Sequence, residues 1–303
     1  MPYTVKKIDI HVHSTPKKYI QRIGFDSVPN GDLTTPEELR AMYDRMGIEF
    51  GVQLPVVHCE SAAYQVTNEM SYDMVQAHPE TYVWFCNLDP RMMLNSTKTN
   101  FTYFIEHYKA MGAKGIGELC CNLYFDDPKV ENLFYHAEKC GMPVTFHIGN
   151  DGDDYGLIDE LGMPRLEKAL QKFPNLKFLG HSQKFWAEIS ADCTKESRDG
   201  YPTGKVIPGR VVELLRKYPN LLGDMSAGSG GNAIMRDPEF GYAFLEEFQD
   251  RLYYGTDICD PRNEFLLGGF LDDAVMTGKI SQTCYNKICR ENHLKLLDME
   301  DRI

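Results

Sequence analysis

Eight short runs of β-branched, aromatic and aliphatic residues recur along the chain, at 5–12, 51–57, 82–88, 113–118, 143–148, 176–181, 221–226 and 252–257. Stretches of helical periodicity separate them. Most intervals are about thirty residues, the size of one strand plus one helix. Strands that alternate with helices pair in parallel, because each return crossover needs a helix. Eight such units in 303 residues predict an α/β fold of the closed (β/α)8 type. A doubly wound open sheet is the competing arrangement, but the first run lacks the G-x-G-x-x-G turn of a dinucleotide-binding sheet. No Ser/Gly-rich linker interrupts the pattern, so a single domain over 1–303 is expected, with a final helix and tail at 281–303.

The connections divide into two kinds. Turns that lead from a helix into the next strand are short: Met46-Gly47-Ile48, Met111-Gly112-Ala113, Cys140-Gly141-Met142-Pro143, Phe173-Pro174-Asn175-Leu176 and Tyr218-Pro219-Asn220-Leu221. Glycine past a helix end supplies a left-handed cap, and proline stops the helix. The opposite connections after the first, fifth and sixth runs are long, at 14–35, 149–163 and 182–207. Long polar loops gathered on one side of a barrel mark its working face.

Composition narrows the setting. A formal net charge of -12 opposes binding to nucleic acid or to an anionic membrane surface, which leaves a small-molecule substrate as the expected partner. No apolar run approaches the roughly 18 residues of a membrane span, and the first residues enter a strand directly, without a signal-peptide core. Nine cysteines form no C-x-x-C pair and are odd in number, so they read as reduced thiols. A cytoplasmic location is expected. A homo-oligomer is compatible with the sequence, which does not specify one.

The chemistry lies at the ends of the runs. In Ile8-Asp9-Ile10-His11-Val12-His13 the alternation of a strand puts His11 and His13 on one face, with Cα atoms about 6.6 Å apart, so both imidazoles can reach one ion. His147 ends the fifth run, His181 the sixth and Asp257 the eighth. A charged or imidazole side chain that terminates a buried strand is costly unless it is paired, hydrogen-bonded or metal-bound. Several on different strands, all at the working face, point to a metal centre.

This set, His-x-His on the first strand, histidines on the fifth and sixth and Gly255-Thr256-Asp257 on the eighth, resembles the amidohydrolase superfamily, in particular its amidohydrolase-2 branch of hydrolases and decarboxylases. The terminal stretch Ile288 to Leu297, with Asn292 and a Leu-Leu pair, is similar to that family's closing helix. The resemblance implies a distorted TIM barrel in which His11, His13, His147 and Asp257 hold a divalent ion. His181 would be a catalytic or second-metal histidine. Binuclear members carry a carboxylated lysine on the fourth strand; this chain has Glu118 in Ile116-Gly117-Glu118-Leu119, a candidate bridge or a group behind the ligands. One ion is expected over two. Zinc suits the histidine and carboxylate donors best, with manganese and iron also compatible.

Such an ion activates water and polarises a carbonyl, with Asp257 as proton acceptor and His181 as polariser or acid. Hydrolysis of an amide, ester or lactone is the leading expectation. Decarboxylation or hydration of a small carboxylate is the alternative, and a catalytically inactive metal-binding barrel is the third. His58 after the second run is a candidate substrate contact, as is Ser226, which opens Ser226-Ala227-Gly228-Ser229-Gly230-Gly231, read as a loop with amides suited to an anion. Asp224 alternates with Ser226 and is a candidate second-layer partner of a ligand. Lys17, Lys18, Arg22 and Arg262 are read as solvated charge, and His78, His107 and His136 as surface or packing residues on helices.

Overall fold

The structure, a computed structural model, describes residues 4–16, 33–61 and 65–302. Nine parallel strands are present among them: β1 (Lys7–Val12), β2 (Ile48–Gln53), β3 (Tyr82–Trp84), β4 (Ile116–Leu119), β5 (Val144–Gly149), β6 (Leu157–Ile158), β7 (Phe178–His181), β8 (Leu221–Asp224) and β9 (Leu252–Tyr253). They form two hydrogen-bonded arcs, β1-β2-β3 and β4-β5-β7-β8-β9, with the two-residue β6 added beside β5. Two seams join the arcs. At one, Cys86 bridges Ile116, with Lys114 N donating to Trp84 O and Gly117 N to Cys86 O. At the other, Val12 bridges Ile258, Ile10 N donates to Tyr254 O, and Asp257 N donates to His11 O. The eight expected strands thus make a TIM barrel. Strand β6 is an addition inside the long 149–163 connection.

Local chemistry accounts for the helices between strands. Thr35 and Glu38 close a capping box at the start of Pro36–Met46, where Pro36 occupies the first turn. Gly47 and Gly141 end their helices in the left-handed conformation, as the short turns predict. The segment read as a loop at 226–231 is a correction: Ala227–Met235 is a helix. Its glycines serve close approach, since a Cβ on Gly230 would lie 2.3 Å from Met225 O. The expected final helix is present as three consecutive helical segments, Gln282–Asn286, Lys287–Glu291 and Asn292–Leu296.

Two apolar layers result. One lies between strands and helices; the other fills the barrel, with Ile8, Ile10, Phe50, Val52, Phe85, Leu179, Leu222 and Tyr253 meeting Leu294, Leu296 and Leu297 of the closing helix. Asn292 fastens that helix through its side-chain amide to Gln249 O and Leu252 O. The register of β1 slips between Asp9 and Val12. Below the slip Ile8 and Ile10 face the interior, while Lys7 and Asp9 reach Asp272 and Tyr43 on the helices. Above it, Val12 packs with the outer layer and His11 and His13 turn inward. No helix among the described residues is long and apolar enough to cross a membrane, and all nine cysteines are free.

Candidate metal centre

His11 is held from behind: its Nδ1 lies 2.6 Å from Asp224 Oδ2 at the end of β8, and both side chains are fully buried. His13 Nδ1 is 3.0 Å from Leu54 O. A carboxylate and a carbonyl oxygen only accept, so both Nδ1 atoms carry a proton, and both Nε2 atoms would offer their lone pairs to a bound ion. Those two Nε2 atoms are 3.0 Å apart. Two ring nitrogens at that distance need a proton or a metal ion against them, and the oxygen acceptors crowded around both fit a metal.

Further donors complete the set. Glu118, at the end of β4, has Oε2 at 3.5 Å from His11 Nε2 and 3.4 Å from His13 Nε2. Asp257, which follows β9 with φ 58, brings Oδ1 to 3.5 and 3.7 Å from the same nitrogens. Ligands about 2.1 Å from a tetrahedral ion lie about 3.4 Å from one another, so the four atoms have the spacing of one coordination shell.

Glu118 has a second oxygen. Its Oε1 is 2.8 Å from His147 Nδ1 and 3.7 Å from His181 Nε2, and these three residues form another group with metal-ligand spacing. Of the four residues expected to share one ion, the structure gathers His11 and His13 around Glu118 Oε2 and His147 with His181 around Oε1, while Asp257 lies between them, with Oδ1 toward His11 and His13 and Oδ2 3.6 Å from His181 Nε2. On its other nitrogen, His181 Nδ1 lies 3.0 Å from Ser226 Oγ and 3.5 Å from Asp224 Oδ2. Asp224 therefore stands behind both histidine groups.

The electrostatics follow from burial and this crowding. Burial alone would lower the His11 pKa, but Asp224, Asp257 and Glu118 raise it well above the ordinary value. Burial would raise Glu118, yet His11 and the bonds from His11, His13 and His147 hold it well below the carboxylate range. His181 is lowered by burial and by the neighbouring His11. Asp224 is lowered, because His11 outweighs its desolvation. Among the described residues no lysine or arginine pairs with Glu118, Asp224 or Asp257, so this buried negative charge calls for a cation.

Around the centre lies a layer that the sequence reading only partly identified. His58 is buried, with Nε2 3.3 Å from Glu118 O and Nδ1 3.3 Å from Asp89 Oδ2. Asn87 donates to the same Glu118 carbonyl at 2.8 Å, and Arg91 ties Asp89 to Glu60. Ser226 is fully buried against His181. Neither His58 nor Ser226 is an open side chain. Tyr155, from the loop after β5, lays its ring on His147, with centroids 4.7 Å apart. Burial and the charges of Glu118, Cys120 and Asp257 push its phenol up. Nothing in the sequence marked Asn87 or Tyr155, because their roles depend on loop paths. Arg262 folds onto Asp260, and Lys17, Lys18 and Arg22 lie outside the described residues.

Comparison with known proteins bears on this geometry. The amidohydrolase family model matches residues 8–299. No curated protein sequence matches the chain. Among solved structures, 2,6-dihydroxybenzoate decarboxylase from Rhizobium is similar with a TM-score of 0.62 and 16% identity, covering 98% of this chain and 100% of its own. Dihydroxybenzoic acid decarboxylase from Polaromonas sp. JS666, bound to manganese and the inhibitor 2-nitroresorcinol, reaches 0.61 and 16%, covering 98% of each. A probable 2-pyrone-4,6-dicarboxylic acid hydrolase from Acinetobacter baumannii, with citric acid bound, reaches 0.57 and 12%, covering 97% and 100%. At such identities these likenesses speak for the barrel, whereas the family match extends across nearly the whole sequence: the chain belongs to the amidohydrolase family of metal-dependent barrel enzymes.

Proposed function

We propose that the protein is a hydrolase of a small amide, ester or lactone that works with two divalent ions, which His11, His13, Asp257, His147 and His181 would hold with Glu118 between them. The observation that carries this reading is the placement of Glu118, with one oxygen facing His11 and His13 and the other facing His147 and His181. Charge supports it as well. Glu118 and Asp224 are buried and Asp257 is a quarter exposed; with imidazoles neutral once they ligate, one divalent ion leaves these three carboxylates net negative whereas two do not. The single ion expected from the sequence gives way to this arrangement in the proposal. Zinc remains the favoured metal for histidine-rich donors, with manganese next.

When bound, the ions supply an activated water and polarise the scissile carbonyl. The chain does the rest. Asp224 fixes the His11 tautomer and orients His181, so that both present a nitrogen inward. Asp257 keeps Oδ1 toward the His11–His13 pair, while Oδ2 lies 3.6 Å from His181 Nε2. That oxygen is placed to accept the proton from the attacking water and deliver it to the leaving nitrogen or oxygen.

Decarboxylation is the second reading, favoured by the solved neighbours that are decarboxylases. Metal analysis by mass spectrometry, with a substrate screen split between carbonyl hydrolysis and carbon dioxide release, separates the two. Two equivalents of metal, falling to one or none in Glu118→Gln, with turnover of lactones, esters or amides, are expected. One equivalent, unchanged in Glu118→Gln, with carbon dioxide released from hydroxybenzoates, would sink the proposal.

A further inference from the structure

In the two-ion arrangement the centre offers few hydrogen-bond donors to the substrate oxygen that becomes negatively charged; His147, with Nδ1 toward Glu118, keeps its proton on Nε2, beside the Tyr155 ring. His11 and His13 use their protonated nitrogens on Asp224 and Leu54, the carboxylates only accept, and Ser226 is sealed behind His181. His181 Nε2 faces Glu118 Oε1 as a ligand would. Tyr155 is different. Its hydroxyl makes no hydrogen bond to any described residue, whereas Tyr43 and Tyr285 each spend theirs on a carboxylate.

Its position is fixed by the backbone. The connection leaving β5 doubles back so tightly that a Cβ on Gly156 would lie 2.7 Å from Gly149 N and 3.1 Å from His147 Cδ2. Gly156 N donates to Cys120 O at 2.8 Å, which pins the loop across to the end of β4. The ring is then trapped against His147, half-exposed at the rim of the centre.

We infer that Tyr155 is a catalytic residue whose phenol donates a hydrogen bond to the developing oxyanion of the substrate. The inference rests on the hydrolytic reading above. No proton is transferred: the O–H stays intact and stabilises charge that exists only in the transition state.

Tyr155→Phe keeps the ring on His147 and removes only the donor. In the metal-loaded variant, kcat is expected to fall about 10²–10³-fold, the range for one oxyanion donor, with KM and metal content little changed. A readout independent of turnover is binding of inorganic phosphate, a tetrahedral oxyanion, measured by calorimetry; its affinity should fall about tenfold. Wild-type kcat and wild-type phosphate affinity in Tyr155→Phe would overturn the inference. So would a neutral Tyr155→Phe beside a Tyr155→Ala with raised KM, because the ring would then be only a platform. If no hydrolysis is found at all, the functional reading fails, and the phosphate titration still scores Tyr155 separately.

Discussion

The two ends of the barrel interior use the same strands for opposite purposes. At the lower end Ile8, Phe50, Leu179, Leu222 and Tyr253 meet Leu294 and Leu297 of the closing helix in a dry, apolar plug. At the upper end the next inward positions of those strands are His11, His181 and Asp224, and from β4 and the segment after β9 come Glu118 and Asp257. Burial is almost as complete there, but it encloses charge. The contrast teaches that stability and chemistry are separable along the barrel axis, the apolar end stabilising the fold and the polar end holding charge that has to be paired.

That separation can be broken in three ways. Leu294→Ala is expected to destabilise by about 2–5 kcal/mol, since the side chain is fully buried, and to leave metal content unchanged. Chemical denaturation and metal analysis of the same sample check both, and loss of metal would show the ends to be coupled. The second concerns pH. Burial lowers the pKa of His293, in the closing helix, to about 4. The unfolded chain therefore takes up this proton near pH 6.5 and the fold only near 4, so stability falls as pH drops through that window. Between pH 7 and 5 this group should cost about 2 kcal/mol, an acid loss absent from His293→Gln in urea titrations of metal-free protein. Asp9, pushed up to about 6 by burial, acts in the opposite sense in both proteins and cancels in the difference. An identical acid loss in variant and wild type would remove His293 from the account. The smallest effect is at the polar end: Asp224→Asn should weaken metal binding about 10–100-fold by losing the charged partner of His11. A metal titration that matches wild type would show that Asp224 orients nothing.

Much of this was readable from residue order. Eight apolar runs at βα spacing gave the barrel, and the histidines and aspartate ending them do converge at one end of it. His11 and His13 do share that face, yet simple alternation would have turned Asp9 inward too; the slip in β1 sends it to Tyr43 instead. The division of ligands around Glu118 was out of reach, because which oxygen meets which histidine is set by how β4 and β5 approach across the barrel. The helix at 227–235 was missed for a different reason. Glycine and serine suggest flexibility by composition, but here small size lets the helix pack onto Met225. His58 could be noticed but not placed, since its partners Asp89 and Glu118 come from other strands.

The seam between the end of β9 and β1 has a consequence for how the protein is made. Asp9 accepts from the Thr256 amide, 247 positions away, and the next residue supplies the last carboxylate of the centre. A growing chain carries His11 and His13 from the start, but until Asp257 has emerged from the ribosome their partner is missing and the seam stands open. On the proposed ligand set, tight metal retention would therefore require the chain through Asp257, and a product terminated before it would be distinguishable by what it cannot hold.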